Sequence, residues 1–140
     1  MFFLTALVAQ AAVHFTAPLT VLVPQPLALV GVACLLLGLL MVIQPALAFD
    51  RARTAMDPFG TPKLLMTDGW FRLSRNPMYL GMVVVLLGVA LVLRSATPFL
   101  IVPPFLWLVD RRFIRHEEAT LACTFGQAYE GYRRKVRRWV

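Results

Sequence analysis

The sequence predicts an all-α, polytopic helical membrane protein. About four transmembrane helices form two hairpins, and a C-terminal amphipathic helix lies at the interface. Three observations predict this. The 140 residues are 59% hydrophobic with a mean hydropathy of +0.72, where an ordinary soluble domain is about 45–50% apolar. The apolar residues lie in two long runs without Asp, Glu, Lys or Arg: Met1 to Phe49, and Pro77 to Val109, the latter broken by Arg94 alone. Thirteen of the fourteen Lys and Arg residues and all seven acids fall in the two polar stretches outside those runs.

A membrane-spanning helix needs roughly 20 apolar residues. The first run has room for two, Phe2 to Val23 and Leu27 to Phe49, with Pro24-Gln25-Pro26 between them. A cleavable leader calls for a basic start, and no Lys or Arg precedes Arg51, so the run reads as an N-terminal transmembrane hairpin, 1–49. A polar loop follows, 50–76. The second run makes a shorter hairpin, 77–109, from Pro77 to Leu93 and Phe99 to Val109, turning at Arg94-Ser95-Ala96-Thr97-Pro98. About 16 residues at 1.5 Å each fall short of a hydrocarbon core of about 30 Å, so this hairpin tilts, thins the bilayer or stops short. Pro103-Pro104 is expected to disturb its second arm. A charged tail, 110–140, closes a single membrane domain.

Short basic loops stay cytoplasmic. Both polar stretches and both termini are therefore placed on the cytoplasmic side of a bacterial or archaeal cell membrane. The formal net charge of +7 flanks apolar spans, so it points to anionic lipid head groups and not to nucleic acid. Gly31 and Gly38 are seven apart, as are Gly81 and Gly88; seven residues return to nearly the same helix face, where small residues let helices approach closely. Cys34 and Cys123 suggest neither a disulfide nor a metal site, and neither His14 nor His116 has a second ligand at zinc spacing. His14 is expected to be hydrogen-bonded or to face a cavity.

Two segments carry chemistry. In Thr67-Asp68-Gly69-Trp70-Phe71-Arg72-Leu73-Ser74-Arg75-Asn76-Pro77-Met78-Tyr79, the first three residues read as a turn. Pro77 suits the first position of a helix and Asn76 its cap. The helix start, with Arg72 and Arg75 beside it, is either an anchored end or an anion site. In the tail, Glu117, Leu121, Phe125 and Tyr129 are four apart, and Tyr132, Val136 and Val140 continue the row. This is the apolar stripe of an amphipathic helix, weakened by Gly126 and Gly131. Glu117 on that stripe calls for a partner. Glu118 points about 100° away and has a simpler account as a solvated pair with Arg111, Arg112 or Arg115. Arg133 to Trp139 suits an interfacial helix on anionic lipid.

The run GWFRLSRNPMYLG, then a helical hairpin, then EEATLACTFGQAYEGYRRKV resembles the isoprenylcysteine carboxyl methyltransferase family and the phospholipid methyltransferases that share its pattern. The resemblance covers about Lys63 to Val136. It implies transfer of a methyl group from S-adenosylmethionine to a lipophilic acceptor, with S-adenosylhomocysteine as the product. It implies cofactor contacts at Lys63, Leu64, Leu65, Met66, Phe71, Asn76, Pro77, Met78, Tyr79 and Glu117. Leu64, Leu65, Met66 and Phe71 would bed the adenine, the helix start at Asn76 and Tyr79 would meet the carboxylate, and Glu117 would take the ribose hydroxyls. Arg75 or Arg112 would steer an anionic acceptor, and Glu118 is the candidate base for an amine or hydroxyl acceptor. Asn76 stands where many members have His, and Phe113 where the eukaryotic enzymes have a substrate-side Arg. Two other readings compete: a membrane reductase using a nicotinamide cofactor, and a non-catalytic lipid-binding membrane protein.

Overall fold

The structure, a computed structural model, describes residues 1–17, 24–52 and 62–140. The expected end of the first span, 18–23, and part of the polar loop, 53–61, lie outside the described residues. The helices are α1 (Phe2–Thr16), α2 (Gln25–Arg51), α3 (Pro77–Leu93), α4 (Val102–Val109), α5 (Arg115–Phe125) and α6 (Gln127–Lys135), with 3₁₀ turns at Gly69–Arg72 and Thr97–Ile101 and a π-helical turn at Asp110–Ile114. They form two compact units, Met1–Leu40 with Gly81–Trp107 and Met41–Leu80 with Leu108–Val140.

Among the described residues, one helix is long and apolar enough to cross a membrane: α2, with 27 residues. Most of its large side chains stay exposed, including Leu29, Leu36, Leu40 and Ile43. The other expected spans are shorter, as anticipated for the second hairpin, and a count of four is not confirmed. α1 has 15 residues and α3 has 17, about 22 and 25 Å of helix. Pro103 and Pro104 act differently from the expectation. They sit in the first turn of α4, where a missing N–H costs nothing. The helix then continues through the π-helical turn into α5.

In the first unit the glycines do what their spacing predicts. A Cβ on Gly38 would lie 2.7 Å from the Gly81 carbonyl oxygen, and one on Gly31 would lie 2.9 Å from that of Gly88. α2 and α3 therefore meet backbone to backbone. Val83, Val85, Leu86, Ala90, Val102 and Phe105 form the buried interior. Gln10 of α1 is fully buried; its amide donates to the carbonyls of Leu86 (3.0 Å) and Pro98 (3.1 Å). The expected turn is present: Arg94 takes a left-handed φ of 55°, and the Thr97 hydroxyl donates to the Ala17 carbonyl at 2.7 Å. His14 is half-buried, set edge-on to Phe15, and its Nδ1 has no hydrogen-bond partner.

In the second unit the tail is not one helix. Gly126 adopts φ 49° and ψ −119°, a conformation that glycine reaches at little cost, and it makes a corner between α5 and α6. Around the corner the predicted stripe still converges. Phe71, Tyr129, Tyr132 and Val136 form a buried cluster, with Phe49, Leu65, Met66, Leu121, Ala122 and Phe125 packed on it. The Tyr132 hydroxyl donates to the Phe71 carbonyl at 2.6 Å, and the Trp70 indole donates to Gln44 Oε1 at 2.7 Å.

Candidate active site

The start of α3 and the start of α5 meet in the second unit. Tyr79 lies in the first turn of α3, and its hydroxyl donates to Glu117 Oε1. The Phe113 ring stacks on Tyr79, with centroids 6.3 Å apart and planes inclined by 24°. Burial raises the Glu117 carboxyl to about 7; the Tyr79 hydroxyl opposes the rise and the charge of Glu118 adds to it. The result is a half-buried carboxyl bonded to a tyrosine whose ring stacks on Phe113, poised to change charge near neutral pH.

Glu118 projects elsewhere, and the expected pairing with Arg111, Arg112 or Arg115 is replaced. Its oxygens accept from Arg75 Nη1 at 3.0 Å and from Arg138 Nη2 at 2.6 Å, with side chains 10% exposed at Arg75 and 13% at Glu118. Arg138 also reaches Asp110 at 3.0 Å, and Asp110 accepts from Arg115 Nε at 3.0 Å. Five charges thus alternate in sign. Arg75 Nη1 further donates to the Tyr129 hydroxyl at 3.2 Å, while its buried Nε has no partner. Burial raises the phenols of Tyr129 and Tyr132 above their ordinary value, so both stay protonated. Arg138 is raised too, chiefly by its hydrogen bond to Glu118.

The residues expected to act together divide into groups. Tyr79 with Glu117, and Arg75 with Glu118, are brought together in pairs. Asn76 is buried directly before Pro77, its carbonyl accepting from the Leu80 N–H at 3.0 Å as the expected cap position requires, and its side-chain amide donates to the Arg138 carbonyl at 3.2 Å, a tie to the tail. Pro77 is buried and Met78 half-buried at the α3 start. Phe71 is 8% exposed and packs in the cluster with Tyr129, Tyr132 and Val136. Leu65 and Met66 pack partly on it, while Lys63 and Leu64 are exposed. Arg112 is exposed on the π-helical turn, and Arg75 is enclosed. The carboxylate bonded to its stacked tyrosine suits a cationic group bearing hydroxyls, and the orphaned Arg75 Nε suits an oxygen acceptor, so the donor set fits an amino-acid-bearing sulfonium cofactor. Asp110, Ser74, Tyr129 and Arg138 are residues of the site that the sequence does not mark as such: Tyr129 reads as part of the apolar stripe and Arg138 as part of the basic cluster. Asp110 is the first charge after an apolar run, and that was the available signal.

The fold defines an all-helical protein with one helix long and apolar enough to cross a membrane among the described residues, and its second unit holds a cluster of carboxylates and arginines. The chain belongs to the phospholipid methyltransferase family, whose model matches residues 27–128. It is similar to the protein-S-isoprenylcysteine O-methyltransferase of Schizosaccharomyces pombe, 38% identical over 73 residues, which is 52% of this chain and 31% of that protein. It is also similar to an uncharacterized protein of Haemophilus influenzae, 36% identical over 63 residues, 45% of this chain and all of that protein. The match thus spans about a third of the length of the first relative. No solved structure matches.

Proposed function

We propose that this chain is a membrane methyltransferase moving a methyl group from S-adenosylmethionine to a lipophilic acceptor, an isoprenylcysteine carboxylate or another lipid or isoprenoid. The observation that carries this reading is the Tyr79–Glu117 hydrogen bond, which joins the two family-like segments at one half-buried carboxyl. When bound, the cofactor supplies a methyl group activated on a sulfonium. Glu117 accepts the ribose hydroxyls, and Tyr79 holds it in place. The Arg75 Nε donates to the cofactor's carboxylate. Lys63, Leu64, Leu65 and Met66 flank the adenine, and Pro77 and Met78 set the end of α3 against it. Phe71 supports them from the core.

The rest of the chain's work is alignment and exclusion of water. A carboxylate acceptor is already nucleophilic and needs no base. Glu118, with its oxygens committed to Arg75 and Arg138, holds the site together. Arg112, exposed, steers an anionic acceptor. The charged segments face the cytoplasm, where the donor is dissolved, and the acceptor arrives laterally from the bilayer. The exposed Arg133, Arg134, Lys135 and Arg137 face anionic head groups.

Binding decides the matter. S-adenosylhomocysteine at a hundred times its Kd raises stability by about 2.7 kcal/mol, so it lifts the unfolding midpoint of the protein in detergent, whereas NADPH does not. Glu117→Ala abolishes that lift. A wild-type protein that responds to NADPH alone, or a Glu117→Ala protein with full affinity by calorimetry, overturns the assignment.

A further inference from the structure

The basic tail also has partners within the protein. α6 ends at Lys135, and Val136 leaves the helix at φ −121° and ψ 130°. Residues 137 and 138 then fasten to Ser74-Arg75-Asn76. The Arg75 N–H donates to the Arg137 carbonyl at 3.0 Å, and the Arg138 carbonyl accepts from Ser74 Oγ at 3.1 Å and Asn76 Nδ2 at 3.2 Å. The Arg138 side chain, 35% exposed, turns inward to Glu118 and Asp110. Arg133, Arg134, Lys135 and Arg137 are exposed around it, so Arg138 is set apart from the basic cluster it belongs to in sequence.

An enclosed ion cluster adds little net stability, because desolvation offsets the attraction. What it does determine is position. A guanidinium can meet a carboxylate as a planar fork, and Arg138 does so on Glu118 through Nε at 3.3 Å and Nη2 at 2.6 Å, while Arg75 reaches the same carboxylate through Nη1 alone. Arg75 is the second claimant. Its Nη1 is held by Glu118 and the Tyr129 hydroxyl, and that fixes the direction of its unpartnered Nε.

We propose that Arg138 is a positioning residue of the site: through Glu118 it aims Arg75, through its carbonyl it holds Asn76, and the backbone of residues 137 and 138 is fastened to the start of α3. The identity of the ligand rests on the cofactor reading above; the positioning does not. Without Arg138 the Glu118 carboxylate is free to swing to Arg75 alone, the tail loses its side-chain lock, and the Arg75 N–H loses its shelter.

The test compares Arg138→Gln, Arg138→Lys and Arg134→Gln with the wild type, full chain in detergent. Arg134→Gln removes the same charge from an exposed position. Two readouts are taken: the Kd for S-adenosylhomocysteine by calorimetry, and hydrogen exchange of the amides at 74–80. Arg138→Gln weakens binding by roughly tenfold to a hundredfold, taking as a guide the loss of an outer partner of a metal-holding side chain, and exposes the Arg75 amide. Arg138→Lys, with charge but no fork, falls between. Arg134→Gln matches the wild type. Arg138→Gln with wild-type exchange at 74–80 overturns the proposal, as does a binding loss equal to that of Arg134→Gln. Should Arg138→Gln fail to fold, a Lys variant identical to wild type in both readouts overturns it as well. If the wild type itself binds no S-adenosylhomocysteine, the cofactor reading falls, and the exchange data alone decide the role of Arg138.

Discussion

Replacing Glu117 with Gln removes one titration from the centre of the site and leaves an oxygen to accept the Tyr79 hydroxyl. Burial lifts the wild-type carboxyl from the ordinary 4.5 to about 7. A carboxyl raised in the folded state favours folding in its protonated form. Its contribution is complete below the unfolded value and is lost as pH rises through about 7. At 1.36 kcal/mol per unit, the displacement amounts to about 3 kcal/mol. Water at the half-buried carboxyl reduces this to about 1–3 kcal/mol. For a chain of this size each kcal/mol moves the midpoint by roughly 3–5 °C. Thermal unfolding in detergent, from about pH 5 to pH 8.5, therefore shows the wild-type midpoint declining by several degrees relative to Glu117→Gln. Affinity for a cationic ligand moves the other way and rises across neutrality in the wild type only. Parallel midpoint curves would refute the raised ionisation and, with it, the account of Glu117 as a desolvated carboxyl.

Two further outcomes test the first unit. Gly38→Ala places a methyl 2.7 Å from the Gly81 carbonyl oxygen and 2.8 Å from the Val85 amide nitrogen; backbone atoms cannot step aside, so stability falls by about 1–3 kcal/mol in an unfolding titration, and an unchanged midpoint rules out the close crossing. Gln10→Leu removes the hydrogen bonds to Leu86 and Pro98 along with an acceptor oxygen that has no partner. These effects oppose each other, and the expected net loss is about 0.5–1.5 kcal/mol by the same titration; a gain in stability contradicts the assigned bonds.

Composition and spacing made the helical class, the α2–α3 glycine contact and the turn at Arg94 legible, because each follows from local chemistry or from a repeat along one helix. The Tyr79–Glu117 meeting was approached through two partial signals, a helix start and a carboxylate on an apolar stripe, but nothing local says that their side chains touch. Arg138 was illegible for a different reason. Among five basic residues in six positions, no pattern separates the one that turns inward from those that face water. Phe71 was open to two readings, since aromatic residues suit both a ligand bed and a core, and the structure places it in the buried cluster. Pro103 and Pro104 misled because a proline's effect depends on which turn of a helix it occupies.

The corner at Gly126 sets two levels of preference against each other. The four-residue spacing from Glu117 to Tyr129 is the pattern of one straight helix, and an alanine at position 126 would favour that helix by about 1 kcal/mol. Straightening would carry Tyr129 and Tyr132 away from Phe71 and detach Arg75 from the Tyr129 hydroxyl. The segment is therefore locally frustrated by design of its sequence: as a free peptide it gains order from the substitution that unmakes its place in the protein. A residue that looks like a flaw in an amphipathic helix is what commits the stripe to a protein interior instead of a lipid surface.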